Sequence, residues 1–297
     1  MTYSVIITAY KEPELISRAI EAVILSNNQI INDIQLVLVC GDDLTYLSAE
    51  GTLQRNYFNN YVLLQDSAEG KPKALNLAFS KATGDIWVLT DGDVYLSKDA
   101  VAIIVKAFDD VSVLGVTGQI KSLDSKSTFF GYYSNLFCDG ANIYRKIKQE
   151  HNEFFPLSGY LYAIRKNADL VLPLELRADD DYISHLIYKP EGKFLYFKDA
   201  VCYVNFPKNI NDLIKQKTRS LGGTIQNKKF FNNNSRSILQ DIKMFLFPLF
   251  YAQNIKELLF SFLIYPLRLY MWLVIYYYYV TNSYKTGLWE RIESSKY

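Results

Sequence analysis

Cysteine and histidine are scarce in this chain of 297 residues, which contains three cysteines and two histidines. The cysteines Cys40, Cys138 and Cys202 are widely spaced and odd in number. This pattern fits neither a disulfide framework nor a metal-ligand spacing, so we expect buried free thiols in a reducing compartment. The chain also lacks an apolar leader with a basic flank, since the run from Tyr3 to Thr8 is too short. No signal peptide is therefore predicted, and the main part of the chain is expected in the cytoplasm.

An excess of charge is also missing, because 32 lysines and arginines face 31 aspartates and glutamates. The formal net charge of +1 therefore predicts no nucleic-acid partner through bulk electrostatics. Neither an internal repeat nor a glycine-rich phosphate loop after the first strand is visible. Aromatic residues are abundant instead, at 15%, with 24 tyrosines. Six of these tyrosines lie between Tyr265 and Tyr279, so the C-terminal part differs in composition from the rest.

The hydrophobic pattern of the first half alternates between strand and helix. Buried strands are predicted at Tyr3–Thr8, Ile34–Cys40, Tyr61–Leu64 and Ile86–Thr90, with helices at Glu14–Leu25 and Lys73–Ser80 between them. This alternation predicts an α/β fold, a mostly parallel sheet with helices on both faces. Further along, strands are predicted at Val113–Ile120, Leu157–Ile164 and Phe194–Val204, helices at Phe129–Ile147, Asp180–Tyr188 and Asn205–Asn227, and a polar loop from Asn227 to Ser237.

Polar residues follow three of the predicted strands. Tyr10-Lys11-Glu12 follows the first strand, Asp42-Asp43 the second, and Asp91-Gly92-Asp93 the strand that ends at Thr90. Because ligands of such sheets bind beyond the carboxyl ends of the strands, we expect these segments to meet in one cleft.

Asp91 and Asp93 are two carboxylates on a tight glycine-containing turn after an apolar strand. Such a pair can hold Mg²⁺ or Mn²⁺ from one side, leaving positions free for water or phosphate. A bound diphosphate leaving group needs this neutralisation of charge. A lone triplet of this kind is also typical of a solvated turn, and its place after a buried strand favours the metal site.

The second acidic cluster is Asp179-Asp180-Asp181, just before a helical pattern. One of the three suffices to cap the helix, which leaves a carboxylate available as a general base. Neighbouring acids are expected to raise the pKa of that base.

Basic and amide residues complete the predicted site. Lys71 precedes a helix, where an anion would also meet free backbone N–H groups. Gln216 and Arg219 are three residues apart on a predicted helix and so share one face. Each of these residues alone would be ordinary surface polarity, and their combination with the two acidic clusters favours a binding site.

Six segments, taken in order over residues 3–225, resemble motifs of the family 2 glycosyltransferases of the GT-A fold. They are Thr8-Ala9-Tyr10-Lys11-Glu12, Glu69 to Asn76, Asp91-Gly92-Asp93, Ser158 to Arg165, Asp179-Asp180 and Gln216-Lys217-Thr218-Arg219. The resemblance implies an inverting enzyme that uses a nucleotide-sugar donor and Mg²⁺ or Mn²⁺, with Asp180 as base beside Asp179. It implies metal binding by Asp91 and Asp93 and acceptor contacts at Ser158 and Gly159. It implies donor contacts at Thr8, Tyr10, Glu12, Asp42, Lys71, Asn76, Asp91, Gln216 and Arg219.

The chain departs from the family pattern at three places. Asp179 replaces the usual glutamate and Asp181 adds a third acid, so the base can shift by one position. Ser220 stands where processive synthases carry tryptophan, which argues against processive chain growth. The segment Cys40 to Asp43 lacks the usual ending, so either Asp42 or Asp43 can meet the nucleotide.

The C-terminal part has the composition of a membrane segment. Leu258–Val280 is 23 residues long with a single charge, Arg268, and it carries tyrosines and Trp272 suited to an interface. A buried core helix and an in-plane or hairpin segment kinked at Pro266 are the alternatives. Ile238–Tyr251 is expected to be amphipathic and interfacial. We therefore predict a catalytic domain over residues 1–230 and membrane-associated helices and tail over residues 238–297.

The leading hypothesis is an inverting transferase at the cytoplasmic face of the cell membrane. It would move a sugar, with a UDP-sugar favoured as donor, to a glycan or lipid-linked acceptor. Nucleotidyl transfer and a non-catalytic, membrane-bound nucleotide-sugar-binding protein are the alternatives. The first would release pyrophosphate, and the second would bind the donor without turnover.

Overall fold

The computed structural model describes residues 1–27, 29–231, 238–281 and 292–296. Its strands are β1 Tyr3–Ala9, β2 Ile34–Cys40, β3 Tyr61–Gln65, β4 Ile86–Asp91, β5 Tyr95–Leu96, β6 Val113–Ser122, β7 Tyr162–Arg165 and β8 Lys193–Val204. Its α-helices are α1 Pro13–Ser26, α2 Asp43–Arg55, α3 Lys71–Phe79, α4 Ala100–Val105, α5 Phe129–Glu150, α6 Asp179–Ile187, α7 Ile210–Phe231, α8 Ile238–Tyr251 and α9 Ile255–Val280.

The eight strands form one sheet in the order β3-β2-β1-β4-β7-β6-β8-β5. The first four strands are parallel, as predicted, with β1 between β2 and β4. In the second half β7 runs antiparallel to both β4 and β6, while β6 and β8 are parallel. The α/β fold is thus confirmed, and the complete sheet is mixed. The carboxyl ends of β1, β2 and β4 lie side by side at one edge.

Helices cover both faces of the sheet, so the central strands bury apolar residues on both of its sides. In β1, Val5 and Ile7 pack into one core cluster, whereas Ile6 between them packs into the other. Successive side chains of a strand point to opposite faces, and all three are fully buried. The continuous apolar runs in the sequence are therefore the signature of a sheet buried on both sides.

Three predicted elements have different bounds in the structure. The strand predicted from Leu157 is confined to Tyr162–Arg165, because the N–H groups of Ser158 and Gly159 donate to the side chains of Thr117 and Asp180 instead of to a neighbouring strand's backbone. The helix predicted from Asn205 begins at Ile210, where Asn209 accepts a hydrogen bond from the Asp212 N–H as an N-cap. The loop predicted from Asn227 is helical through Phe231, and residues 232–237 lie outside the described residues.

A third apolar cluster joins the C-terminal helices to the sheet domain. It contains Tyr132, Tyr133 and Leu136 of α5, Leu213 of α7, and Ile264, Leu267 and Met271 of α9. The Tyr132 hydroxyl lies 2.7 Å from Ser261 Oγ, so a buried hydrogen bond also links α5 to α9. The inner face of α9 is therefore held against the domain that carries the strand-end residues.

The outer face of α9 remains apolar and exposed. Leu259, Phe262, Leu263, Leu269 and Leu273 are each more than half exposed. By length and composition, Ile255–Val274 is one helix that could cross a membrane, and 28% of that window is buried. The inner face of α9 is thus buried, as the core-helix alternative expects, and the membrane span predicted at Leu258–Val280 stays a prediction.

The three cysteines are buried and unpaired, as predicted.

Candidate active site

The ends of β1 and β2 are tied together by hydrogen bonds around Asp42. The Asp42 carboxylate accepts a hydrogen bond from the Lys11 N–H, and it caps α2 through the Thr45 N–H at 3.0 Å. The Thr45 hydroxyl in turn accepts a hydrogen bond from the Glu12 N–H at 2.8 Å. The predicted convergence of these two strand ends is therefore present, with Asp42 rather than Asp43 between them.

Asp66, at the end of β3, was missed in the sequence. A Cβ on Gly41 would lie 2.8 Å from Tyr10 Cδ2 and 3.1 Å from Asp66 Oδ1, so this glycine leaves room between the two side chains. Burial raises the pKa of Asp66. The rule that binding residues follow strand ends, applied to Tyr61–Leu64, would have identified it.

Thr8, Tyr10, Glu12, Asp42 and Asp91, at the ends of β1, β2 and β4, form what we call the strand-end cluster. Lys71 connects this cluster to the second acidic cluster. Its ammonium lies 2.7 Å from Asp91 Oδ1 and 3.4 Å from Asp179 Oδ2, and only 8% of the side chain is exposed. Burial alone would lower the pKa of Lys71, but Asp179 and Asp91 raise it above its usual value, so the lysine is charged. Thr8 donates from its hydroxyl to the same Asp91 oxygen at 3.4 Å.

The three consecutive aspartates of α6 have different surroundings. Asp179 pairs with Lys71, while Asp181 accepts a hydrogen bond from Asn227 at 2.8 Å and lies 3.6 Å from His185. The Asp180 carboxylate accepts hydrogen bonds from two backbone N–H groups, those of Gly159 at 2.7 Å and Asp181 at 2.9 Å. Burial and the Asp181 carboxylate raise the pKa of Asp180.

Asp93 and Glu12 share a cation that the sequence did not reveal. The Lys296 ammonium contacts Asp93 Oδ2 and Glu12 Oε1, and the Lys296 side chain is 11% exposed. Burial and Asp93 raise the pKa of Glu12, whereas Lys296 lowers the pKa of Asp93 against the effect of burial. No spacing in the sequence relates residue 296 to the strand ends.

The carboxylates at this edge fit a divalent cation. Asp91 and Asp93 offer the oxygen donors that Mg²⁺ and Mn²⁺ prefer, and the Lys296 ammonium stands where positive charge is attracted. Within residues 1–27, 29–231, 238–281 and 292–296, no three acidic, histidine or cysteine side chains form a complete metal site. A metal held here would therefore take its other ligands from water and phosphate.

One cavity of about 510 Å³ joins the second acidic cluster to the helical layer. From the predicted site it is lined by Lys71, Asp91, Ser158, Gly159, Asp179, Asp180, Gln216 and Arg219. The Gln216 Oε1 atom is buried there and has no hydrogen-bond partner among the described residues. Gln216 and Arg219 thus border the same cavity as Asp179, 37 residues before Gln216, and Asp91, 125 residues before it.

The remaining predicted donor residues lie outside this cavity. Thr8, Tyr10, Glu12 and Asp42 belong to the strand-end cluster, which meets the cavity at Asp91. Asn76 joins neither group, because its side-chain amide holds the Leu172 backbone through two hydrogen bonds of 2.8 Å. The role predicted for Asn76 at the donor therefore has no geometric counterpart in this arrangement.

Comparison with known proteins gives consistent matches. Residues 2–223 match the family described as Glycosyltransferase like family 2. Over 206 residues the chain is 22% identical to the hyaluronan synthase of Streptococcus pyogenes, covering 65% of the chain and 46% of the synthase. The chain thus spans about half the length of the curated relatives it matches.

Solved structures share the fold at low identity. The mannosyltransferase PcManGT from Pyrobaculum calidifontis, determined with GDP-Man and Mn²⁺, has a TM-score of 0.60 at 19% identity, covering 87% of this chain and 72% of that chain. TarS 1-349 of S. aureus in complex with UDP-GlcNAc has a TM-score of 0.53 at 14% identity, covering 84% and 80% of the two chains. These likenesses confirm the GT-A fold expected from the sequence.

Proposed function

The chain belongs to the glycosyltransferase like family 2, and we propose that this transferase is inverting, with Asp180 as its general base. It is a glycosyltransferase that uses nucleotide-sugar donors. The observation that carries the proposal is the shared cavity, in which Asp180 faces the same space as Lys71 and Asp91. A base and a leaving-group site must border one space for a hydroxyl to attack a sugar between them.

Asp180 is proposed as the base because the other two aspartates are engaged. Asp179 shares the Lys71 ammonium with Asp91, and Asp181 is held by Asn227 and His185. Asp180 keeps the carboxylate form through backbone N–H groups, while burial and Asp181 raise its pKa toward the range of a useful base.

In the proposed reaction, Asp180 takes the proton from an acceptor hydroxyl as the hydroxyl oxygen attacks the anomeric carbon. The bond between that carbon and the diphosphate oxygen breaks on the opposite side, so the configuration inverts. Lys71 and Arg219 neutralise the charge that develops on the diphosphate. Asp91 and Asp93 would hold Mg²⁺ or Mn²⁺, which when bound contributes further neutralisation of the diphosphate.

The nucleoside is proposed to bind at the strand-end cluster of Thr8, Tyr10 and Asp42, next to Asp66. A UDP-sugar is favoured because the segment of residues 8–12 resembles the uracil-binding segment of the family. The solved neighbours hold GDP-Man in one case and UDP-GlcNAc in the other, so both bases belong in the test.

The acceptor is proposed to be a glycan or a lipid-linked saccharide at the cytoplasmic face of a membrane. The support is the exposed apolar face of α9, which packs its other face on the helix that lines the cavity. Membrane association of this helix would place the cavity close to the bilayer surface.

The test compares Asp180→Asn with Asp181→Asn, two isosteric changes at neighbouring positions of α6. Purified protein is incubated with Mn²⁺, a panel of UDP- and GDP-sugars and a saccharide acceptor, and both the release of nucleoside diphosphate and the anomeric configuration of the product are measured. Asp180→Asn should lower turnover about a hundredfold or more, since a positioned base contributes that much. Asp181→Asn should lower turnover far less.

Three outcomes contradict the proposal. Near-normal transfer by a folded Asp180→Asn variant would remove Asp180 from the role of base. Release of pyrophosphate from a nucleoside triphosphate would indicate nucleotidyl transfer instead. Calorimetric binding of a nucleotide sugar without any turnover would indicate a non-catalytic binding protein.

A further inference from the structure

The cavity at Asp180 extends well beyond the predicted site. Its far wall is formed by helices of the C-terminal part, with Ile264, Arg268, Met271 and Trp272 from α9 and Phe247 from α8. Most of these side chains are apolar. One cavity therefore connects the proposed base to the helix whose opposite face is exposed and apolar.

Arg268 is a single charge in this apolar wall. It lies half-buried on the side of α9 that carries Ile264 and Met271, its neighbours at spacings of four and three residues. Among the described residues, no carboxylate lies within ion-pair distance of it and no hydrogen bond engages it. A half-buried guanidinium without a counterion indicates a site for an anion that arrives from outside.

A second guanidinium faces the same cavity from α5. Arg145 donates from Nε to the Pro156 carbonyl at 3.4 Å, but its Nη1 is buried and has no hydrogen-bond partner. A buried donor without a partner is costly unless a ligand completes it. Arg145 Nη1 and the Arg268 guanidinium therefore give this cavity phosphate-matching donors that no described residue satisfies.

Trp272 marks the place where the cavity opens. Its ring lines the cavity, yet 56% of the residue is exposed, so it stands at the mouth. Beyond it lies the outer face of α9, where Leu269 and Leu273 are each about 60% exposed. A lipid whose acyl or prenyl chain lies on that face would extend past Trp272 into the cavity. There Arg145 and Arg268 can bind an anionic group of the lipid.

We propose that the acceptor is carried by a phosphate-linked lipid. Its phosphate binds Arg268 and Arg145, its apolar chain lies along the outer face of α9, and its hydroxyl-bearing end reaches Asp180. This inference rests on the proposed function, because it identifies the acceptor of the same reaction.

The test titrates the full chain in detergent with decyl phosphate, decanol and inorganic phosphate, each measured by calorimetry. Decyl phosphate should bind about tenfold or more tightly than either partial probe, since a hydrogen bond to a charged group is worth that factor. Arg268→Gln should remove this preference, and Arg268→Lys should keep part of it. Lys256→Gln is the matched control, because Lys256 is a cation of the same helix that rests on the Phe260 ring.

Equal binding of decyl phosphate to wild type and Arg268→Gln would overturn the proposal. Binding of inorganic phosphate as tight as that of decyl phosphate would overturn the lipid part, since the site would then take a free anion. The proposed function fails separately. If sugar transfer is absent while the preference for decyl phosphate is present, only the proposed transfer reaction is contradicted. If sugar transfer persists without that preference, only the phosphate-linked lipid acceptor is contradicted.

An independent observation concerns the segment Ile292–Lys296. The Ser294 N–H donates to Asp212 Oδ2 at 3.0 Å, and the Lys208 N–H donates to Ser294 Oγ at 3.0 Å. Ile292 and Ser295 are buried. These contacts fasten the segment at the start of α7 and direct Lys296 between Asp93 and Glu12.

We infer that the Lys296 ammonium and a divalent cation compete for Asp93. Both are positive, and both need the same carboxylate, so one must leave before the other binds at short range. In the absence of donor the segment Ile292–Lys296 then closes the metal position, and it opens when the metal enters with the nucleotide.

Competition is measured by Mn²⁺ binding without donor, from the electron paramagnetic resonance signal of free Mn²⁺. Lys296→Met should tighten Mn²⁺ binding roughly tenfold, because the metal then no longer has to displace an ammonium from Asp93 and Glu12. Amide exchange in residues 292–296 of the wild type should rise when Mn²⁺ is added. The control Lys215→Met removes a cation near Asp212 that does not touch Asp93. Unchanged or weaker Mn²⁺ binding by Lys296→Met would overturn this inference.

Discussion

Lys71 is the residue whose removal tests the site most directly, because it is buried between two carboxylates. Its ammonium pairs with Asp91 and Asp179, and the three side chains are 8%, 19% and 12% exposed. Lys71→Met keeps the length of the side chain and removes its charge. Two buried carboxylates then lie in one site without their common cation.

The magnitude follows from this burial. Breaking a buried ion pair by removing one partner costs about 3–5 kcal/mol of the free energy of unfolding, because the remaining charge is left uncompensated. For a chain of this size, a loss of that order lowers Tm by about 6–10 °C. The control is Lys73→Met, two residues along the same helix, whose pair with Glu69 is 39% and 59% exposed. An exposed pair contributes about 0–1 kcal/mol, so the control should lower Tm by no more than about 2 °C.

The destabilisation should depend on pH in a defined direction. Burial already raises the pKa of Asp91 and of Asp179, and loss of Lys71 raises both further. Groups with raised folded pKa values stabilise the fold below their unfolded pKa and lose that contribution as pH rises through the folded pKa. The difference in Tm between Lys71→Met and wild type should therefore be largest near neutral pH and shrink toward pH of about 4.

Differential scanning fluorimetry from acid to neutral pH measures this, with Lys71→Met/Asp91→Asn as a second variant. Removing one carboxylate together with the lysine should recover part of the lost Tm. A Tm of Lys71→Met equal to that of Lys73→Met, or a difference independent of pH, would refute the buried ion cluster.

Three further predictions concern Asp180, the metal and the membrane. A Cβ on Gly159 would lie 3.0 Å from Asp180 Oδ2. Gly159→Ala should therefore lower kcat about tenfold or more with little change in Tm. An unchanged kcat would contradict the positioning of the base by Gly159. Chelation with EDTA should abolish transfer and added Mn²⁺ or Mg²⁺ should restore it, whereas full activity in EDTA would contradict a metal at Asp93. Leu259→Glu/Leu263→Glu on α9 should lower flotation with lipid vesicles, because each charge costs about 2 kcal/mol or more of membrane-binding free energy. The control Leu47→Glu on α2, where Leu47 is equally exposed at 59%, should leave flotation unchanged. Equal flotation of wild type and both variants would contradict the membrane face.

The sheet domain was predictable because its information is local. In β1 and β2 most residues are apolar and buried on both faces of the sheet, which is the condition for a strand covered twice. Once the strands are parallel, the residues after them must meet at one edge, so Glu12, Asp42 and Asp91 could be grouped from sequence alone. The structure confirms that grouping, and their roles at the donor stay predictions.

The segment before β7 was mispredicted because its pattern is that of a strand. Leu157 to Ile164 is largely apolar, yet Ser158 donates its N–H to Thr117 Oγ1 and Gly159 donates to Asp180. Those partners lie 41 and 21 residues away, and no pattern within the segment predicts these contacts. A strand that gives its N–H groups to side chains of other elements cannot also pair in a sheet. The departure from regular structure therefore coincides with the contact that positions the proposed base.

The distant part of the site depends on contacts that no spacing encodes. Arg268 was visible in the sequence as a charge within an apolar helix, but only packing on α5 shows that it borders the same cavity as Asp180. Its position puts an arginine on the inner face of α9, opposite the exposed apolar face, and the membrane span of this helix stays a prediction. A helix that only crossed a bilayer would need no arginine on its buried face, and a core helix would need no apolar residues on its exposed face. Both features together are expected of a helix that forms one wall of an acceptor cavity and presents its other side to lipid.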